Sequence, residues 1–515
     1  MENVPTEPQA RIDLVWKGGL RGAATPAVSV PVRPALLGIG FLLAFLMGVV
    51  GLAGIQREPD LAPFVDALCW GALGVCLLEA AGSLIRHSRK ISGARDRWPA
   101  ICALLGVATL PLLWGEAPAA PWASALGVVA GGAWCALAIE WFRCCALQKP
   151  WGLVLHGSLA LCAAGILYVL GPLGRVGTAA WSLSLTVFAL GGAALLVVAA
   201  RGSPHESQVG EQPDRRHAVT GFFKTQWLPL AGMVLLAFVH GLRWHSAVVG
   251  QVMEKPYAMG GLEYILGPCL ALVCAWVVLL RRPGASPQRT ACQFLIPIAA
   301  AILLVVPVLN PLRGFYATVD PANPLCVVLE IVLDVLNEGA VALLFLSALV
   351  SVMAAPRTTG VSSRFAASML VGCTVAGMLL GTYGFLAVGL NGSIVCFLAW
   401  TVYLLAAGFA SIGKDRGDRE GQRLSQESVE NFIRRASRRI AQRYGLSQRE
   451  EEILRYLARG YSYTYTAQDF CISENTVRTH AKHIYAKLGI AKREQLFRLL
   501  DAEYGDAGGE GEKTD

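Results

Sequence analysis

The sequence predicts an all-α chain: a twelve-helix transmembrane bundle arranged six and six, followed by a small polar domain of four helices. Three observations carry this. Of 515 residues, 54% are hydrophobic and only 16% charged, which is more apolar surface than a soluble protein of this length buries. Between residues 36 and 412 apolar runs of about 18 to 25 residues recur, each long enough to cross roughly 30 Å of hydrocarbon as a helix. From Gly413 onward the chain turns polar and charged, with shorter helical periods.

Residues 1–35 carry Glu2, Glu7 and Asp13 among several prolines, unlike a cleaved signal peptide, and are read as a cytoplasmic segment. The apolar runs that follow place spans at 36–55, 64–85, 98–114, 121–142, 151–170, 178–200, 227–249, 260–280, 291–309, 326–353, 365–388 and 391–412, so the bundle occupies 36–412. An even number puts both ends on one side, and loop charge says which. One set of loops holds Arg86, Arg89, Lys90, Arg95 and Arg97, then Arg143 and Lys149, Arg201, Arg215, Arg216 and Lys224, Arg281, Arg282 and Arg289, and Arg357 and Arg364. The alternate set offers only Arg57, Arg175, Arg243, Lys255 and Arg313. Lys and Arg gather in loops left in the cytoplasm, so the expectation is a multi-pass cell-membrane protein with both termini in the cytoplasm.

The polar loop 201–226 divides the spans six and six. In this layout the region resembles the major facilitator transporters, whose two six-helix halves meet around a central cavity. The resemblance is one of arrangement. Gly82-Ser-Leu-Ile-Arg-His-Ser-Arg-Lys90 lies where that superfamily carries Gly-x-Leu-x-Asp-x-x-Gly-Arg-Arg/Lys, with Arg86 in place of the Asp and Arg89 in place of the second Gly.

Charged groups inside a membrane are costly, which makes each a functional candidate. Glu330, Asp334 and Glu338 recur every four residues on one helix face, with Asn337 beside them. Two readings stand. Either this face lines a cavity for a cationic or hydroxyl-rich ligand or for protons, or it sits at a wet interface or pairs with Arg243 or His245. Glu79, Glu140, His156, His240 and Glu263 stand singly and read as satisfied interhelical or interfacial groups. The 14 cysteines are scattered along apolar helices without paired spacing, so neither a metal nor a cofactor is expected.

Residues 413–445 form a basic connector. The glycines of Ile412-Gly-Lys-Asp-Arg-Gly-Asp-Arg-Glu-Gly421 are expected to break the helix. After Ser425, Val429, Phe432, Ile433, Ala436 and Ile440 fall at helical spacing, with Arg434, Arg435, Arg438, Arg439 and Arg443 around them. Such a helix lies on anionic lipid, dimerises, or packs against the domain that follows; the sequence leaves the three open.

Within residues 446–502 four helices are readable, at 447–459, 464–470, 474–487 and 492–502. Ile453, Leu454, Leu457, Ala467, Phe470, Val477, Ile484, Leu488, Leu496 and Leu499 suffice for one small core. Ser473 is placed to cap the third helix and Gly489 to end it. With Val477 and Ile484 turned inward, Arg478, Thr479, Lys482, His483 and Lys487 face outward, a division that suits a helix lying in a major groove. Residues 503–515 form an acidic tail, expected to be disordered.

Leu446-Ser-Gln-Arg-Glu-Glu-Glu-Ile-Leu-Arg-Tyr-Leu-Ala-Arg-Gly460, Cys471-Ile-Ser-Glu-Asn-Thr-Val-Arg-Thr-His480 and Ile484-Tyr-Ala-Lys-Leu-Gly489 together resemble the LuxR-type (GerE-like) helix-turn-helix. The resemblance implies double-stranded DNA as partner, with Arg478, Thr479 and Lys482 facing bases, and Lys487 and groups near Asn475 and Thr476 holding phosphates. It also implies pairing of two domains through the fourth helix, hence a homodimer on DNA. The second helix departs from the family: Thr464-Tyr-Thr-Ala467, flanked by Tyr461 and Tyr463, stands where a Lys-Glu-Ile-Ala run is usual.

These readings converge on a membrane-embedded one-component transcriptional regulator, whose bundle senses an unidentified small molecule or membrane state. A transporter with a regulatory DNA-binding tail and a passively anchored transcription factor are the alternatives. No P-loop, phosphorelay motif or nucleophile constellation is present in the cytoplasmic parts, so no catalytic residue is assigned.

Overall fold

The computed structural model describes residues 11–14, 28–31, 33–46, 62–86, 98–109, 120–170, 178–201, 215–248, 262–281, 286–319, 324–388, 392–491 and 495–500. The tail 503–515 and residues 202–214 of the loop 201–226 lie outside them. The chain divides into two units, Met1–Ser411 and Ile412–Asp515.

Every apolar segment has a helix. They are α1 Pro34–Leu46, α2 Ala62–Arg86, α3 Trp98–Ala108, α4 Ala120–Ala146, α5 Pro150–Leu170, α6 Thr178–Arg201, α7 Arg215–Val248 and α8 Glu263–Leu280. The ninth segment, α9, begins as Pro287–Thr290, widens to a π turn over Ala291–Leu295 and continues as Ile296–Val319; α10 is Pro324–Ala354, α11 Ser363–Val388 and α12 Gly392–Arg443. Among the described residues nine helices are long and apolar enough to cross a membrane, and Pro34–Leu46 and Val395–Ala410 are shorter apolar helices. A two-stranded antiparallel ribbon, Arg11–Leu14 against Val28–Pro31, is the one departure from an all-helical chain among the described residues.

The first six helices meet the second six directly: α2 and α4 pack against α11, and α5 packs against α8 and α10. Between lipid-like surfaces there is little hydrophobic gain from helix association, so close backbone approach through small residues matters more. Gly127 and Gly131 of α4 sit on the carbonyls of Phe64 and Leu68 in α2, while Gly377 and Gly381 of α11 sit on those of Val234 and Phe238 in α7. A Cβ on Gly131 or Gly381 would overlap a backbone oxygen, which cannot rotate away. We expect Gly131→Leu and Gly381→Leu to destabilise the bundle by about 3 kcal/mol or more, read as a lower melting temperature in detergent. Gly74→Leu, at a position with open space, leaves melting unchanged.

Two expectations need correction. Residues 215–226 of the expected central loop are helical, the start of α7. Their charged residues hid an amphipathic face: Ala218, Phe222 and Gln226, four residues apart, are buried, and Phe222 meets Phe365 edge to face at 5.3 Å. The glycines at 413, 417 and 421 do not interrupt the helix either, since α12 continues through them to Arg443. A glycine in a helix costs about 1 kcal/mol, which the neighbouring Lys, Arg, Glu and Gln, all good helix formers, and the absence of proline offset.

Candidate nucleic-acid interface

In the second unit three helices are bounded by their own side chains: α13 Gln448–Ala458, α14 Tyr463–Asp469 and α15 Glu474–Leu488. Ser447, Ser462 and Ser473 cap them, each hydroxyl accepting from the backbone N–H three residues on, at 3.3, 3.1 and 3.1 Å. Gly489 ends α15 in the left-handed conformation, φ +67°, where a Cβ would be strained. A fourth helix, α16, spans residues 495–500.

Ile453, Leu454, Leu457, Ala467, Val477, Ile484, Leu488 and Leu496 form the core as the periodicity predicts. Leu499 packs at its edge and Leu500 is buried instead, while Phe470, expected in the core, is half-buried against Tyr456 and under the Arg449 guanidinium at 4.3 Å. Ala436 and Ile440, from the end of α12, complete the same core. Of the three uses open to the connector, packing against the following domain is the one seen. The side chains of Val429 and Phe432 lie outside the described residues.

The division of α15 follows from these contacts. Val477, Ala481, Ile484 and Leu488 are buried, and this fixes the rotation of the helix so that Asn475, Thr476, Arg478, Thr479, Lys482, His483 and Lys487 are exposed. Thr476 donates its backbone N–H to the cap, and Thr479 donates its hydroxyl to the Asn475 carbonyl at 2.9 Å.

Two of the cations have partners. Arg478 donates through Nε and Nη2 to Oε1 of Glu474, at 3.0 and 2.6 Å. Its guanidinium also stands 5.3 Å from the ring centre of Tyr463. The other oxygen of Glu474 accepts from the Thr464 hydroxyl at 2.8 Å. Arg478 first, and Thr464 second, hold the Glu474 carboxyl below its ordinary value. Lys487 is turned inward at its tip: Nζ donates to Oε2 of Glu450 at 2.7 Å and to the Gly445 carbonyl at 3.2 Å. Its ammonium is engaged inside the domain, whereas Lys482 and His483 are exposed on the outer face.

In the membrane unit, Glu330, Asp334, Asn337 and Glu338 are all half-buried on α10. Asn337 donates to Glu338 at 3.2 Å, and the backbone at Glu338 and Gly339 packs on Gly267 of α8. The side chains of Arg243 and His245 lie outside the described residues. An apolar groove of about 580 Å³ lies elsewhere, between Trp227, Leu235 and Tyr403.

Sequence reasoning missed a charge cluster between the halves. Glu140 of α4, 1% exposed, accepts from Arg143 Nε at 2.7 Å and from Arg364 Nη2 of α11 at 2.8 Å. Arg357 donates to the carbonyls of Ala146, at 3.2 Å, and of Gln148 just past the end of α4. His156 is satisfied as expected: its Nε2 accepts from the Arg33 backbone N–H at 3.1 Å and its Nδ1 donates to the Gly152 carbonyl at 2.8 Å.

Residues 445–500 match the family model of bacterial regulatory proteins, luxR family. Two proteins provisionally named HTH-type transcriptional regulators, Mb0914c of Mycobacterium bovis and MT0914 of Mycobacterium tuberculosis, are each 36% identical over 86 residues. That stretch is 16% of this chain and 10% of either relative, so the chain covers about a tenth of their length. Among solved structures, the human organic anion transporter MFSD10 (TETRAN) is similar with 13% identity and a TM-score of 0.47, over 73% of this chain and 99% of that one. The proton:xylose symporter XylE, of the major facilitator superfamily, gives 13% and 0.48 over 73% and 92%; a mutant of the nucleoside transporter NupG gives 17% and 0.42 over 74% and 98%. Residues 445–500 are therefore a LuxR-type helix-turn-helix domain, in a chain that also carries membrane-spanning helices.

Proposed function

We propose that the chain is a membrane-embedded one-component transcriptional regulator, in which α15 reads promoter DNA in the cytoplasm and the helical bundle supplies the signal. One observation carries the DNA-reading part: Val477, Ala481, Ile484 and Leu488 anchor α15 so that Arg478, Thr479, Lys482 and His483 share an exposed face, with Asn475 and Thr476 at its capped N-terminus. A helix N-terminus and exposed cations suit phosphates, and an arginine on the outer face suits a guanine edge. Two copies, paired through the fourth helix, would read two half-sites of an inverted repeat.

For the bundle, the acidic face of Glu330, Asp334 and Glu338 is the proposed sensing surface, for a cationic or hydroxyl-rich small molecule. Such a ligand acts by binding one bundle conformation better than another, which shifts the population.

The DNA-reading proposal is tested with the full chain in lipid nanodiscs. Arg478→Ala is expected to weaken binding to the preferred duplex by about 10- to 100-fold and to relax one base position, the worth of one lost bidentate contact. Lys482→Ala, at the other cation read as facing bases, is expected to weaken binding to the preferred duplex on the order of tenfold and to relax a second base position. Full affinity in both variants would sink the assignment of α15. The sensing proposal is tested separately, by reporter output in cells: Asp334→Asn or Glu338→Gln that leaves regulation intact removes the acidic face from it.

A further inference from the structure

The second helix departs from its family at Thr464, which Tyr463 precedes; Tyr463 stands by Arg478, and Thr464 holds the carboxylate that binds it. Thr464 donates to one oxygen of Glu474, the other oxygen of Glu474 holds Nε and Nη2 of Arg478, and the Tyr463 ring lies by the same guanidinium at 5.3 Å. An arginine side chain otherwise carries a large rotamer freedom that binding must remove. Here Glu474, itself held by Thr464, and the Tyr463 ring restrain it before any DNA arrives.

The occupied edge matters as much as the restraint. A guanidinium has five N–H donors in one plane. Glu474 takes Nε–H and one Nη2–H. What remains is the end of the fork, with both Nη1–H groups and the second Nη2–H. A paired Nη1–H and Nη2–H fits O6 and N7 of guanine in a major groove.

We propose that Tyr463 and Glu474 are positioning residues that set the base preference of Arg478, leaving only the end of its guanidinium to read guanine. The inference rests on the DNA-reading role proposed for α15. Thr464 acts one step back, by fixing the Glu474 carboxylate. The departure at Thr464 and the neighbouring Tyr463 thereby become part of specificity, although neither side chain needs to touch a base.

The test is selection from a randomised duplex library by the full chain in nanodiscs, followed by competition with each base at the position that Arg478→Ala relaxes. The wild-type chain is expected to prefer guanine there. Tyr463→Ala and Glu474→Gln are expected to reduce that preference on the order of tenfold, leaving the other positions unchanged, while Tyr463→Phe retains it. Glu474→Gln should bind unselected duplex no more weakly than wild type, because a negative charge has left a surface that faces phosphates; a merely damaged fold would lose both kinds of binding. Amide-exchange protection at Val477 and Ile484 checks that each variant is folded. Retention of the full guanine preference in folded Tyr463→Ala and Glu474→Gln, when Arg478→Ala abolishes it, overturns the positioning role alone. A wild-type chain that enriches no sequence overturns the DNA-reading role itself, and the positioning role with it.

Discussion

Glu140→Ala is expected to destabilise the membrane bundle by about 3–5 kcal/mol, the cost of breaking a buried ion pair from one side. Glu140 bridges Arg143 and Arg364, whose side chains are 17% and 15% exposed. Removing it leaves two guanidinium groups near each other in a medium of low polarity, with their shared carboxylate gone. Glu140→Gln still offers one acceptor oxygen but no charge, so an intermediate loss is expected. Replacing all three groups together by Met, Met and Leu should recover most of the loss, since a buried charge cluster is often no more stable than a well-packed apolar one. The measurement is thermal unfolding in detergent, monitored by tryptophan fluorescence. A Glu140→Ala protein that melts with wild type would show that the three charges are hydrated and contribute little. Arg364→Met is expected to cost less than Glu140→Ala, because it leaves the Arg143–Glu140 pair in place.

That cluster also marks where sequence reading stops. Glu140 and Arg364 are far apart in the chain, and each has a sufficient local explanation: an isolated polar group in one span and a loop charge before another. Nothing in periodicity links them. Nine of the expected spans were legible, since about twenty apolar residues in a row admit few alternatives to a membrane helix, and nine described helices are long and apolar enough to cross. The caps at Ser473 and Gly489 were legible too, since capping chemistry is local. The same locality explains the errors. Glycines at 413, 417 and 421 and charges at 215–226 are local signals for a break or a loop, and here the surrounding helix formers and the buried face of Ala218, Phe222 and Gln226 outweigh them. At α15 the outward set was readable from the inward one, but what each outward cation holds was not. Arg478 and Lys487 read alike as DNA contacts, and only the fold shows one bound to Glu474 on the surface and the other to a buried Glu450.

The second large effect is expected at that buried carboxylate. Glu450 closes the capping box of α13, accepting from the Ser447 backbone N–H at 2.8 Å, and the same oxygen accepts from Lys487 Nζ at 2.7 Å. It thus ties the start of α13 to the last turn of α15, where a cation is already favoured by the helix dipole. Glu450→Ala removes both links at once and is expected to destabilise the domain by about 2–3 kcal/mol, a cap plus a charge-assisted bond. In a domain this small, that is a fall of roughly 10–20 °C in its melting. Lys487→Met should cost less alone, because the Ser447 bonds remain, and the double variant should lose less than the sum of the two. Acid gives an independent reading. The Lys487 ammonium first, and the Ser447 donors after it, hold the Glu450 carboxyl down at about 2, against an ordinary 4.5. A group whose folded value is depressed contributes stability above its unfolded value and loses it as pH falls toward the folded one. The contribution is therefore complete above about pH 4.5 and is withdrawn between there and about pH 2. Amide exchange at Ile453 and Ile484 in the full chain, followed across that window, should show protection falling more steeply in wild type than in Glu450→Gln. Equal slopes would mean that the Lys487 link carries no stability, and would return Lys487 to the set of residues available for phosphate.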